Sequence, residues 1–275
     1  MIDFHCHILP GLDDGARSFD ESLEMASIAQ SDGIKEIVCT PHIKKRYATP
    51  TLKAIAEAVQ ELQSLLQSKR IDIRLHSAAE VALERNLADL VDCGEIPTIG
   101  GAERFILLEL PWERIPRYTS TVISELISSG VTPIIAHLER YYQVIVDPAL
   151  AWEFVEAGAL VQVNSGSITG MFGYDAQVTA RILVSHGLVH VIGSDAHSSG
   201  RRSPKMGAAR DLVKDMVGEE QADKMFRLNA SEILAGRLPK KEAPRAYKDS
   251  KPGSWRRGLL GKLVFYLSRQ LRGLR

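Results

Sequence analysis

Short apolar, β-branched runs alternate with longer segments of helical period along most of this 275-residue chain. That alternation is the signature of consecutive βα units feeding a parallel sheet. The spacing predicts strands over Ile2–Ile8, Ile34–Thr40, Ile71–Glu80, Phe105–Leu110, Thr132–His137, Leu160–Asn164 and His190–Ser194. Helices are expected over Ser18–Ser31, Thr51–Ser68, Thr119–Ser129, Ala149–Ala157, Asp175–His186 and Met206–Val217. Ser18 followed by Glu21 has the form of a capping box, and Pro41 stops the second strand. About seven strands, each followed by a helix, predict a complete or slightly irregular (β/α) barrel, an ordinary solution at this length.

On such a barrel the chemistry sits where strands end. His5 and His7 lie on the first strand, two residues apart, so both side chains point to the same side. Asp13 and Asp14 follow in the loop; His42 follows the second strand, Glu80 ends the third, Glu109 the fourth and His137 the fifth. Asp195 and His197 close the set, again two apart, and share a side if strand geometry persists there. So many acidic groups and imidazoles at one mouth repel or go unpaired unless cations join them. Mixed histidine and carboxylate donors without thiolate suit Mn, Fe or Zn. His76, His186 and His190 lie within or beside elements and read as ordinary structural histidines.

Composition excludes other classes. With 45% hydrophobic and 25% charged residues the chain is globular rather than fibrous or disordered, and three cysteines are too few for a disulfide framework. No apolar run is long enough to span a membrane, and the opening MIDFHCHILPG does not read as a secretory signal, so a cytoplasmic protein is expected. Thiolate phosphatase chemistry needs Cys, five residues, then Arg; Cys6, Cys39 and Cys93 meet Leu12, Lys45 and Ile99 at that position.

The net charge of zero conceals an asymmetry. Residues 1–236 carry 22 Lys+Arg against 32 Asp+Glu, a net of −10, whereas residues 237–275 carry 12 against 2, a net of +10. A basic linker is expected over 239–253 and a basic amphipathic helix over 254–275, with Leu259, Leu260, Leu263, Val264, Leu267, Leu271 and Leu274 on one face. Such a helix suits the surface of an anionic membrane, or docking on the body or another subunit. The acidic body argues against a nucleic-acid partner.

The segments DFHCHILPGLDDGA (3–16), TPH (40–42), LELPW (108–112), AHLERY (136–141), VNSGSITG (163–170) and SDAHSSGRRSPKM (194–206) are specific in combination. They resemble the polymerase-and-histidinol-phosphatase (PHP) superfamily, and within it the bacterial PHP-type protein-tyrosine phosphatases encoded with capsule and exopolysaccharide genes. The resemblance covers residues 1–238 and departs at Leu138, where the family has proline, and at the doubled Arg201-Arg202. It implies a distorted (β/α)7 barrel holding three divalent ions, usually Mn. One ion would take His5, His7, Asp195 and bridging Glu80; a second would share Glu80 with Glu109 and His137; a third would lie between Asp14, His42 and His197. Which of Asp13 and Asp14 turns inward stays open.

The activity implied is hydrolysis of phosphotyrosine by a metal-activated hydroxide, on a membrane-associated bacterial tyrosine kinase that regulates capsular or exopolysaccharide synthesis. A PHP phosphoesterase for a small metabolite such as histidinol phosphate is the alternative. Arg140 and Arg202 are the expected phosphate clamps, with Arg201 as a further candidate substrate contact. Trp112 either stacks on the phenyl ring of phosphotyrosine or packs its loop.

Overall fold

The computed structural model describes residues 1–44, 50–99 and 104–240; the expected linker, beyond residues 239 and 240, and the expected terminal helix lie outside them. These described residues belong to one compact unit. Its strands are β1 (Ile2–Cys6), β2 (Glu36–Cys39), β3 (His42–Ile43), β4 (Arg74–Ser77), β5 (Glu80–Ala82), β6 (Phe105–Glu109), β7 (Thr132–Ile135), β8 (Leu160–Asn164) and β9 (Val191–Gly193). All pair in parallel, in one sheet of order β1-β2-β4 and another of order β3-β5-β6-β7-β8-β9.

The break between the sheets adds a short strand after the expected second one and splits the expected third. Pro41 has no N–H for the ladder, so the chain leaves the first sheet after Cys39 and rejoins the second at His42. The expected third strand makes the same jump at Ala78–Ala79, and Glu80 therefore opens β5 rather than ending β4. The two jumps stay in register: Ala78 N–H donates to Cys39 C=O and Glu80 N–H to Pro41 C=O, both at 3.1 Å. On the other side β1 meets the segment after β9, where Asp195 N–H donates to the His5 carbonyl (2.7 Å) and His7 N–H to that of Ala196 (2.9 Å). The result is a curled, distorted α/β barrel.

The main helices are α1 (Phe19–Ser31), α2 (Leu52–Ser68), α3 (Leu87–Asp92), α4 (Thr119–Ser128), α5 (Tyr142–Val146), α6 (Ala149–Glu156), α7 (Ser165–Thr169), α8 (Tyr174–Ser185) and α9 (Gly207–Val217). Ser18 and Thr51 cap the first two by accepting from Glu21 N–H and Ala54 N–H. Only half of the capping box forms: the Glu21 carboxylate turns to Arg17, accepting from its backbone N–H and its Nε. α2 buries Ile55, Leu62 and Leu66, one apolar stripe, against the sheet. Inside the barrel Phe4, Val38, Phe105, Leu107 and Ile134 form a second buried cluster beneath the strand ends.

Candidate metal centre

Eight of the nine expected ligands converge as largely buried side chains, and the ninth, Asp14, hangs over them from the surface. β1 and the residue just past it send His5 and His7 inward, with their Nε2 atoms 3.0 Å apart, while Cys6 between them points to the apolar core. Glu80, at the start of β5, is the hub. Its Oε1 accepts from His137 Nε2 at 2.8 Å, and its Oε2 lies 2.9 Å from His42 Nδ1, 3.3 Å from His5 Nε2 and 3.5 Å from His7 Nε2. Glu109, at the end of β6, lies 3.8 Å from His42 Nδ1 and pairs with Lys44 at 3.0 Å.

Asp195 reaches the cluster by a turn, not by the strand alternation expected from its spacing with His197. β9 ends at Gly193, and Asp195 adopts φ +53°, as His137 adopts φ +35° just past β7. Left-handed backbone at non-glycine residues costs about 1–3 kcal/mol each, and here it marks two strand exits at the site. From that position Asp195 Oδ1 lies 3.6–3.8 Å from His7 and His5 Nε2 and 3.6 Å from His197 Nδ1.

The adjacent aspartates divide the work. Asp13 is buried and accepts from His7 Nδ1 (2.6 Å), His42 N–H (3.0 Å) and Gly15 N–H (2.9 Å). Asp14 is 71% exposed and holds Oδ1 3.5 Å from His42 Nε2 and 3.6 Å from His197 Nε2. Asp14 thus stands over the cluster, and Asp13 orients an imidazole from behind.

Further supporting residues carry little signal in the sequence. Gln162 and Asn164, two apart on β8, both face inward. The Gln162 carbonyl accepts from His137 N–H (2.7 Å) and sits 3.2 Å from His5 Nδ1, while its amide donates to Asn164 (2.8 Å). Asn164 donates to Asp195 Oδ2 (2.8 Å). Asp3 ties Ser194 to the base of β1 through Ser194 N–H (2.7 Å) and Oγ–H (2.5 Å). Only the period-2 spacing of Gln162 and Asn164, and of Asp3 with His5 and His7, hints at these roles.

Among the described residues, three groups of donors lie close enough to share an ion: His7, Asp14, His42 and His197; His5, His7 and Glu80; His42, Glu80 and Glu109. The chemistry of the donors fits cations. Glu80 Oε2 and His42 Nδ1 are buried and within reach of each other, yet neither is hydrogen-bonded, and His137 Nδ1 is likewise unpartnered. Burial opposes charge on His7, but its bonds to Asp13 and Glu80 outweigh that and push its pKa up to about 10. Burial and the neighbouring His7 charge hold His197 down at about 3, and its Nδ1 faces the Asp195 carbonyl at 3.0 Å, which leaves Nε2 as the acceptor nitrogen. Burial likewise opposes ionisation of Asp195 and Glu80, yet the surrounding imidazoles hold both carboxyls below their ordinary range.

The two expected arginine clamps both sit on Asp195. Arg140 donates to its Oδ2 at 2.9 Å, and Arg202 reaches its Oδ1 at 2.8 Å and its carbonyl at 2.9 Å. Arg201 is exposed and is not drawn into the cluster. Trp112 donates to Glu109 (3.0 Å) and stacks on His137 (4.8 Å between centroids, 18°) and on Tyr141. The Arg140 guanidinium lies 4.8 Å from the Trp112 ring and 4.1 Å from that of Phe172, a wall residue with no sequence signal. His76, His186 and His190 lie elsewhere; His76, for one, pairs with Glu36 at 2.6 Å.

The family model described as "Capsular polysaccharide synthesis, CpsB/CapC" matches residues 1–235. Tyrosine-protein phosphatase YwqE of Bacillus subtilis is 31% identical over 251 residues, covering 91% of this chain and 98% of YwqE. Tyrosine-protein phosphatase CpsB of Streptococcus pneumoniae is 30% identical over 244 residues, 86% of this chain and 100% of CpsB. A crystal structure from work on these two proteins, described as unique metal-dependent tyrosine phosphatases, superposes with a TM-score of 0.86 over 90% of this chain and all of that chain. The chain therefore belongs to the CpsB/CapC family of capsular polysaccharide synthesis proteins.

Proposed function

We propose that this protein is a metal-dependent protein-tyrosine phosphatase. One observation carries the reading: a buried carboxylate, Glu80, ringed by four imidazole nitrogens within 3.5 Å, three of them on an Oε2 that has no hydrogen bond. Relatives named as tyrosine phosphatases support it over most of the chain.

The residues proposed to hold three divalent ions, most simply Mn, are His5, His7, Asp14, His42, Glu80, Glu109, His137, Asp195 and His197. Bound there, divalent ions supply Lewis acidity toward phosphoryl oxygens and an activated water at neutral pH. The chain's own contribution is orientation and charge. Asp13 and Gln162 hold the imidazoles of His7 and His5 by their Nδ1 atoms, which turns each Nε2 toward Glu80. Arg140 and Arg202, half-exposed at the mouth, offer paired donors to phosphoryl oxygens and trade part of their hold on Asp195 for the substrate. Arg201, exposed beside them, is the weaker substrate contact. Trp112, 39% exposed and backed by His137 and Tyr141, presents an aromatic edge to the phenyl group.

The proposed physiological substrate is a tyrosine-phosphorylated protein, a membrane-associated bacterial kinase of polysaccharide synthesis. No helix among the described residues is long and apolar enough to cross a membrane, so recruitment would fall to the basic segment 254–275 lying on an anionic surface.

Phosphate release from a phosphotyrosine peptide, a phosphoserine peptide and histidinol phosphate, with Mn²⁺ and after chelation, tests the reading. Chelator-sensitive activity confined largely to phosphotyrosine, and lost in Arg140→Ala, is the expected result. Preference for histidinol phosphate would replace the signalling role with a metabolic one.

A further inference from the structure

Two chain segments leave the metal centre side by side. β5 and β6 are paired with Ala82 opposite Glu109, and Leu83 N–H donates to the Glu109 carbonyl at 2.8 Å. Beyond that point one segment carries Arg85, five residues after Glu80, and the other carries Arg114 and Arg117, the first of them five residues after Glu109. The three arginines, with Pro116 and Tyr118, line an open cleft of about 630 Å³. The Arg85 guanidinium lies over the Tyr118 ring, 4.0 Å from its centroid.

The charges in this cleft are uncompensated. All three arginines are exposed, and among the described residues no carboxylate stands within ion-pair distance of any of them. The acidic groups nearby are Asp89 and Glu125, which line the adjoining hollow with Arg85, and Glu84 and Glu113, which precede Arg85 and Arg114 in sequence. In a body of net charge −10, three guanidiniums lining one cleft form a local anion trap. The contact with Tyr118 restrains Arg85, which lowers the entropy lost when it is engaged.

Reach fixes the kind of anion. Five extended residues span at most ~17 Å, so the backbones of Arg85 and Arg114 lie within about that distance of Glu80 and Glu109 respectively. An extended peptide whose phosphotyrosine occupies the metal centre would bring a side chain about five positions away over the arginines. We infer that the Arg85–Arg114–Arg117 cleft binds acidic side chains flanking the phosphotyrosine of the substrate protein. The inference rests on the phosphotyrosine reading and adds to it a rule for sequence preference.

The test uses the full chain loaded with Mn²⁺ and four substrates. Three are phosphotyrosine peptides with Glu, Gln or Lys at the positions three to five residues from the phosphotyrosine, and the fourth is p-nitrophenyl phosphate. The Glu peptide should exceed the Gln peptide about tenfold in kcat/KM, through KM, with the advantage shrinking as salt screens it. In Arg114→Glu/Arg117→Glu that preference should invert toward the Lys peptide, with p-nitrophenyl phosphate hydrolysis unchanged; Arg85→Ala should weaken the preference without inverting it. Equal cleavage of the three peptides by the wild type, or a variant that keeps the acidic preference or loses all four substrates alike, overturns the cleft. Wild-type failure on every phosphotyrosine peptide overturns the phosphatase reading with it.

Discussion

His7 shows how a single imidazole is prepared for a metal. Its Nδ1 is committed to Asp13 at 2.6 Å, which leaves Nε2 as the atom that faces Glu80 and Asp195. The same aspartate accepts from His42 N–H, so one carboxylate sets two candidate ligands. Asp13→Asn keeps the volume but weakens the charge that orients His7. Metal affinity should fall about 10- to 100-fold, read by titration of the chelated protein, with the circular dichroism spectrum intact. An unchanged affinity would mean that Asp13 serves only the turn at Gly15. Sequence exposes His7 because period-2 histidines at a strand end are conspicuous. It does not separate Asp13 from Asp14, since the turn that buries one and exposes the other depends on contacts with β3. Gln162 and Asn164 are hidden for a different reason: uncharged amides are common on strands, and only their partners reveal them.

At the level of elements, local signals carried the helices and failed at the interrupted strands. Ser18 and Thr51 mark helix starts because their side chains satisfy N–H groups within three residues, an interaction wholly encoded nearby. The extra strand β3 past Pro41 and the splitting of the expected Ile71–Glu80 strand into β4 and β5 are tertiary events, imposed by closing the barrel, and only Pro41 announces them. The closure itself depends on Gly193. A Cβ there would lie 2.5 Å from His5 Cβ and 2.8 Å from His5 N, both parts of β1 that cannot swing aside. Gly193→Ala should therefore push β9 from β1 and cost about 1–3 kcal/mol of stability. It should also lower metal affinity, because His5 and Asp195 flank the widened seam. Thermal denaturation with metal analysis checks both; a variant with wild-type melting temperature and full metal content would show that the seam yields freely.

For the molecule as a whole, the metal centre concentrates charge that must be balanced one way or another, and protons are the alternative to cations. In the metal-free chain His7 titrates near 10, because its bonds to Asp13 and Glu80 outweigh burial, and His5 is raised because Glu80 and Asp195 outweigh the same burial. A histidine with a raised folded pKa contributes stability in full below its unfolded value of ~6.5 and loses that contribution as pH climbs through the folded value. The metal-free chain should consequently weaken from about pH 6.5 toward pH 10. Metal binding requires these imidazoles to be neutral, so each ion displaces protons and its apparent affinity grows over the same range. The two trends reinforce one another: the difference in melting temperature between Mn²⁺-loaded and chelated protein should widen between pH 6.5 and pH 9.5. A gap that stays constant with pH would mean that ions do not compete with protons at His5 and His7, and would place the metal at the His42, Glu109 and Asp14 side of the cluster instead.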